Sequence, residues 1–272
     1  MSETKLILAG CGKMGGAMLQ GWLRRGILAE NVIVVEPYEP GREAVARDFA
    51  VTAVGTAAEV AASFEPDVVV FAVKPQSMDD VAPEYSRFVA PKTVFLSIAA
   101  GKTISYFHDM LGADAAIVRS MPNTPAAVGR GITVACPNTR VTAEQRDLCD
   151  QLLQSVGEVG WVEDEGSIDA VTALSGGGPA YVFLLVECLA EAGIQAGLSE
   201  DLAKQLARAT ITGSGELLYQ SSEDPATLRK NVTSPGGTTA EALKVLMAEN
   251  GWQPLITEAI AAATRRSREL AG

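Results

Sequence analysis

The 272-residue sequence predicts an α/β fold, a Rossmann-like doubly wound parallel sheet followed by an all-helical domain. Three observations predict it. Short apolar runs rich in Val and Ile alternate with helix-like segments through the first half. Those runs lack polar alternation, as strands buried on both faces do. After Trp161 the β-branched runs stop, and Ala and Leu recur at helical spacing to the end of the chain.

In order, Lys5 to Ala9, Val32 to Val35, Asp67 to Val73 and Thr93 to Ile98 read as strands. Ala115 to Arg119, Gly131 to Cys136 and Glu158 to Val162 complete a sheet of average or slightly larger size. Strand alternating with helix implies parallel pairing. In the second half, Gly, Pro and Ser breaks separate helices over Ile168 to Leu174, Ala180 to Gln195, Glu200 to Gln220, Thr239 to Glu249 and Pro254 to Leu270. The change of character near Asp164 divides the chain into residues 1–163 and 164–272. Several helices are apolar over much of their circumference, as in Tyr181 to Val186 followed by Leu189, Ala190 and Ala192. Such helices need each other or a second subunit to cover them, and the sequence leaves those two readings level.

Composition excludes several classes of function. At 47% hydrophobic and 20% charged residues the chain falls in the globular class, so large disordered tails are not expected. A net charge of -11, with no basic run longer than Arg265-Arg266, argues against a nucleic-acid partner. The four cysteines form no CxxC pair and the one histidine is His108, which fits a reducing compartment and argues against a zinc site, for which clustered Cys or His ligands are needed. His108 belongs in or beside a surface helix, without a role. The apolar run Leu6 to Ala9 is too short for a signal peptide, and no stretch approaches the roughly 20 apolar residues of a membrane span. A cytoplasmic protein without a membrane partner is expected.

Gly10-Cys11-Gly12-Lys13-Met14-Gly15 is a GxGxxG sequence that follows the first strand and opens a helix through Met18, Leu19, Trp22 and Leu23. That context turns a weak motif into a dinucleotide signature. Gly10 permits a tight turn, Gly12 lets backbone approach a pyrophosphate, Gly15 lets helix and strand pack closely, and the helix N-terminus offers N–H groups to the anion. Glu36 ends the second strand, about twenty positions further on, where an acid commonly accepts hydrogen bonds from the adenosine ribose and repels a 2′-phosphate. It leans the cofactor choice between NADH and NADPH toward NADH, with Arg42 within reach of a phosphate. Ala72-Val73-Lys74-Pro75 ends a strand at the carboxyl edge, where open α/β sheets bind ligands.

In the helical half, Val232 to Glu241 is a hydroxyl- and glycine-rich turn running into a helix. Thr238 with Glu241 makes a capping-box pattern, so a well-capped helix start is one reading. Capping needs neither the Gly236-Gly237 pair nor the second threonine. The other reading is a site for a small carboxylate at the positive end of the helix, with the Thr239 hydroxyl close to it. Arg119 to Pro125 reads as a two-proline loop that is also explained as a rigid turn, and Ser175 to Pro179 as a break that serves close packing.

Gly10 to Gly15, Ala72 to Pro75, Ser97 to Gly101, Met121 to Pro125, Ser175 to Tyr181 and Thr233 to Thr239 occur in the order seen in pyrroline-5-carboxylate reductases, and the chain resembles that family over nearly its whole length. The resemblance implies a Rossmann domain over 1–163 and a helical substrate and dimerisation domain over 164–272, with the active site between them. It implies homodimers, often assembled into rings such as decamers. It also implies hydride transfer from NADH or NADPH to the C=N carbon of 1-pyrroline-5-carboxylate, giving L-proline. Carried over by residue, Thr239 matches the threonine that hydrogen-bonds or protonates the ring nitrogen. Ser234, Gly236, Gly237, Thr238 and Thr239 match the loop that holds the carboxylate. Gly10, Gly12, Lys13, Met14, Gly15, Glu36, Thr56, Ala72, Val73, Lys74 and Pro75 are the expected cofactor contacts.

Lys13 stands where the family often has Asn, and Gly177 where it often has Ser. Thr56 is the nearest candidate for an Asn common near the adenosine ribose, and Glu36 stands where NADPH-preferring members often carry Ser. The alternatives are a related imine reductase, a β-hydroxyacid dehydrogenase, or a non-catalytic NAD-binding sensor. Hydroxyacid enzymes use a lysine in a glycine-containing motif of the helical half, and Lys204, Lys230 and Lys244 lie in none. A sensor has no need of the Ser234 to Thr239 loop.

Overall fold

Strands β1 (Leu6–Ala9), β2 (Val32–Val35), β3 (Thr52–Val54), β4 (Val68–Phe71), β5 (Val94–Ser97), β6 (Ala116–Met121), β7 (Gly131–Pro137) and β8 (Gly157–Trp161) form one sheet in the order β3-β2-β1-β4-β5-β6-β7-β8. This is a computed structural model, and it describes residues 2–271. The pleat sends alternate side chains to opposite faces. Leu6, Leu8, Val68 and Val70 enter one hydrophobic core, while Ile7, Ala9, Val69 and Phe71 enter a second core behind the sheet. Both cores exclude solvent, which is why these strands read as unbroken apolar runs.

Helices α1 (Lys13–Arg24), α2 (Glu39–Phe49), α3 (Met78–Val81), α4 (Ile104–Leu111) and α5 (Ala143–Leu153) occupy connections between strands. Trp22 of α1 is fully buried, and its Nε1 donates to the Leu152 carbonyl at 3.0 Å, which ties α1 to α5. The direction of chain progression through the sheet reverses between β1 and β4, which opens a crevice at the carboxyl ends of those strands.

Two features of the sheet depart from the sequence expectation. β3, three residues at the edge, is missing from it, because a short and partly exposed strand carries no apolar run. The pairing is parallel throughout except between β6 and β7, which run antiparallel. Only the short 3-10 turn Thr124–Val128 joins those two strands, too little chain for a parallel crossover.

The remaining helices are α6 (Ser167–Val171), α7 (Gly178–Gln195), α8 (Glu200–Gln220), α9 (Pro225–Asn231), α10 (Thr238–Leu246) and α11 (Trp252–Ala271), with a π turn over Thr172–Gly176. Helix α9 lies outside the helices expected from the sequence, although Asp224 caps it by accepting the Ala226 N–H at 2.7 Å and Pro225 opens it. Composition turns helical near Asp164, but packing divides the chain at Gly176, and the chain from Ala263 onward rejoins the sheet-bearing body. The reason is that α6 packs on β6 and β7, and Ser267 of α11 donates to buried Asp169 of α6 at 2.7 Å.

In the second body α7 and α8 lie side by side, with Gly193 close against Ala203. Phe183, Leu184, Leu217 and Leu218 remain exposed. The helical run Ser167–Gln195 is long and apolar enough to cross a membrane by length and composition, which corrects the expectation that no stretch is. Its apolar circumference is the feature that also suits a subunit interface.

Candidate active site

At the carboxyl ends of β1, β2 and β4 a crevice of about 380 Å³ is lined by Gly10, Cys11, Gly12, Glu36, Thr56, Ala72, Val73 and Lys74 among others. The glycine loop forms its base. Gly10 has φ +85°, and a Cβ there would lie 2.7 Å from Val73 Cγ1, so both backbone and space demand glycine. A Cβ on Gly15 would lie 2.6 Å from the Gly10 carbonyl oxygen, whereas one on Gly12 would meet nothing within 4 Å. Gly12 therefore faces open space at the N-terminus of α1, which has no side-chain cap and no acidic residue in its first turn. Its leading N–H groups and positive dipole end suit an anion. Lys13 is exposed as the first helical residue, and Met14 packs against the core.

Glu36 is tied to this loop. One carboxylate oxygen accepts the Cys11 N–H at 3.1 Å and the other accepts the Tyr38 N–H at 3.1 Å. Arg42 is directed to the backbone, donating to the Glu36 carbonyl at 3.1 Å. Thr56 donates its hydroxyl to Glu59 at 3.1 Å and opens a short 3-10 turn. Burial, with the Glu36 charge beside it, pushes the Cys11 thiol up to about 11, so the loop's cysteine stays protonated.

Lys74 is exposed at the rim and Pro75 begins the next turn, over Pro75–Ser77. Beyond the residues expected from the sequence, Ser77, Val81, Glu84 and Tyr85 also line the crevice. Tyr85 is anchored edge-on against Phe71, ring centroids 5.2 Å apart. The sequence signal for them was only their nearness to a strand end.

The hydroxyl-rich loop belongs to the second body. Thr233 donates to the Arg229 carbonyl at 2.6 Å, and the Gly237 N–H closes a turn on the Ser234 carbonyl at 3.0 Å. Gly236 takes φ +70° in that turn, which favours glycine. The Thr238–Glu241 capping box does not form: Gly237 is the N-cap, and Glu241 pairs instead with Lys244 at 2.6 Å. The turn brings the chain into the helix one residue earlier than the box requires, so Thr238 is already its first residue. Ser234, Thr238 and Thr239 are exposed around the start of α10, which carries no side-chain cap.

The other motif segments make internal contacts. Arg119 is buried and pairs with Glu165 at 2.7 Å, and the same carboxylate oxygen accepts the Ile104 N–H at 2.8 Å. Asn123 accepts the Ile132 N–H at 3.0 Å and fixes the two-proline loop. A Cβ on Gly176 would lie 2.6 Å from Met121 Cε, in keeping with close packing in the Ser175 to Pro179 segment. His108, on α4, meets the Asn138 side chain at 2.8 Å. Among the described residues no group of acids, cysteines and histidine is arranged to hold a metal ion.

Residues 165–270 match the family model described as pyrroline-5-carboxylate reductase dimerisation, and residues 5–101 match one described as NADP oxidoreductase, coenzyme F420-dependent. A pyrroline-5-carboxylate reductase of Pseudomonas aeruginosa is 39% identical over 271 residues, covering 100% of this chain and 98% of its own. The solved pyrroline-5-carboxylate reductase of Coxiella burnetii superposes with a TM-score of 0.93 at 33% identity, over 99% of each chain. The pyrroline carboxylate reductase of Plasmodium falciparum, solved with NADP bound, superposes with a TM-score of 0.81 at 32% identity over 100% of each chain.

Proposed function

The chain belongs to the pyrroline-5-carboxylate reductase family, and from that premise we propose how its own residues reduce the C=N bond of 1-pyrroline-5-carboxylate to give L-proline. It is an NAD(P)H-dependent oxidoreductase acting on that bond. The observation that carries the reading is the glycine loop, open at Gly12 and closed by contact at Gly10 and Gly15, beneath an uncapped helix N-terminus. Those residues fit a pyrophosphate, which Gly10, Gly12, Lys13, Met14 and Gly15 would hold. Glu36 and Thr56 take the adenosine ribose, and Ala72, Val73, Lys74 and Pro75 form the wall at the end of β4.

Bound there, NAD(P)H supplies a hydride to the ring carbon of the C=N bond. The ring nitrogen must gain a proton as that carbon gains the hydride. Thr239 would supply a hydroxyl to that nitrogen; because a threonine hydroxyl is a weak acid, it would donate a hydrogen bond or relay a proton from water. Ser234, Gly236, Gly237 and Thr238 hold the substrate carboxylate at the N-terminal end of α10 without a cation. Glu36, fixed by the Cys11 N–H, favours NADH because a 2′-phosphate beside a carboxylate is repelled.

Residues 1–163 serve the cofactor, and residues 164–272 serve substrate and dimerisation. A dimer is supported by the matching dimerisation family and by the exposed apolar helices, and a ring of dimers such as a decamer extends it. A cytoplasmic location suits four free cysteines and a biosynthetic role. The test is the rate of NADH and, separately, NADPH oxidation on adding 1-pyrroline-5-carboxylate, with product identified by mass. Proline formed with faster NADH turnover supports the reading; a protein that binds dinucleotide but turns over neither cofactor rejects it.

A further inference from the structure

We propose that Glu84 and Tyr85 read the adenine base of the dinucleotide, the Glu84 carboxylate accepting from its amino group and the Tyr85 hydroxyl donating to the ring nitrogen beside it; the inference rests on the reading that this crevice holds NAD(P)H. The crevice runs from the ends of β3 and β2, at Thr56 and Glu36, past the glycine loop to Val81, Glu84 and Tyr85 in the segments that follow β4. Of the two carboxylates that line it, Glu36 is engaged by the Cys11 and Tyr38 N–H groups. Glu84 is exposed and has no hydrogen bond or ion pair among the described residues.

Tyr85 points to the same ligand. It is only 1% exposed, and its hydroxyl has no hydrogen-bond partner among the described residues. No fully buried side-chain polar atom among those residues is left without one, so the trace of surface that Tyr85 keeps includes that hydroxyl. A tyrosine hydroxyl in so buried a place ordinarily finds a partner, and this one lines the crevice, where a bound molecule can supply it. The ring behind it is held edge-on to Phe71 and 6.1 Å from Phe88, centroid to centroid. Burial, with the Glu84 charge beside it, raises the phenol well above its ordinary range, so it stays protonated and can donate.

Two adjacent residues therefore present an acceptor and a donor to one crevice. A carboxylate can only accept, and adenine carries its N6 amino donor beside the N7 acceptor along one edge. Val35, Pro37, Val73 and Val81 add apolar lining for a flat ring. A carboxylate repels phosphate, so the Glu84 end suits the base and leaves the pyrophosphate to the N-terminus of α1. With one end on Glu36 and the other on the 3-10 segment Ala82–Phe88, the crevice takes the ribose at the first and directs its base toward the second.

Titration of the full-length protein with NADH and with reduced nicotinamide hypoxanthine dinucleotide, which carries a carbonyl oxygen in place of the amino group, tests the contact. The wild type is expected to bind NADH about tenfold more tightly, toward the lower end for a base-edge pair because Glu84 is exposed. Glu84→Gln, whose amide can donate to that carbonyl, is expected to bring the two Kd values within about threefold of each other. Glu84 has no protein partner to lose, so this variant keeps the fold. Tyr85→Phe keeps the ring against Phe71 and is expected to raise the Kd for NADH about fivefold with the melting temperature held. Equal binding of the two dinucleotides by the wild type, a ratio unmoved by Glu84→Gln, or an NADH Kd unmoved by Tyr85→Phe overturns the base contact and leaves the crevice as the cofactor's site. A wild type that binds neither dinucleotide overturns the reading of the crevice and the base contact with it.

Discussion

The Glu36 carboxylate accepts the backbone N–H of Cys11 at 3.1 Å, so the acid that follows β2 is fastened to the glycine loop that follows β1. Its second oxygen is engaged by the Tyr38 N–H. A carboxylate fixed in this way cannot swing aside for an incoming phosphate without breaking two hydrogen bonds, of which the one from Cys11 is partly buried.

Glu36→Ser should therefore raise the ratio of kcat/KM for NADPH over NADH by about tenfold or more, equivalent to about 1.4 kcal/mol. Paired kinetics with the two cofactors read this directly. An unmoved ratio rejects Glu36 as the selector.

Two glycine substitutions in one loop should behave differently. Gly12→Ala places a methyl group in open space, so the melting temperature should hold while dinucleotide binding weakens. Gly15→Ala drives a methyl into the Gly10 carbonyl and should cost about 1–3 kcal/mol of stability, as overpacking does. Thermal denaturation beside ligand titration separates the two, and equal loss of stability in both would contradict the geometry.

Thr239→Ala should lower kcat by about a hundredfold, the lower end of the range for a lost proton-transfer group, and leave NADH binding nearly intact. Thr239→Ser keeps the hydroxyl and should recover part of the rate. Full turnover in the alanine variant would remove Thr239 from the mechanism.

Glu165→Ala strips the partner from the buried Arg119 and should destabilise the fold by about 3 kcal/mol, toward the low end for a broken buried pair because Glu165 keeps some contact with water. Replacing both residues, by Arg119→Met with Glu165→Leu, should cost less than the single change. Urea denaturation of the three variants tests this, and a double variant weaker than Glu165→Ala would refute it.

The pH dependence of stability carries a signature of Cys11. Its thiol is held up to about 11 in the folded protein, against an ordinary value of 9.0. The unfolded chain therefore loses that proton first, and the contribution to stability present below pH 9 is lost as pH rises toward 11. The urea midpoint of the wild type should fall more steeply over that interval than that of Cys11→Ser. Parallel curves would show that burial does not set this thiol.

The sequence by itself determined the α/β class, seven of the strands, most of the helices and the glycine loop, because each depends on local pattern. A strand buried on both faces must be apolar throughout, and a loop that crosses under a helix N-terminus must spare its Cβ atoms, so Leu6 to Ala9 and Gly10 to Gly15 announce themselves. The edge strand β3 and the turn of chain between β6 and β7 lack such marks. Tertiary structure alone decided that Glu36 meets the Cys11 N–H and that Ser77, Val81, Glu84 and Tyr85 join the crevice. It alone decided that Arg119 finds Glu165, and that Ser267 finds Asp169 at the far end of the chain. These are contacts between residues distant in sequence, fixed by which strands and helices become neighbours, and no local periodicity encodes a neighbour that the chain reaches only after folding.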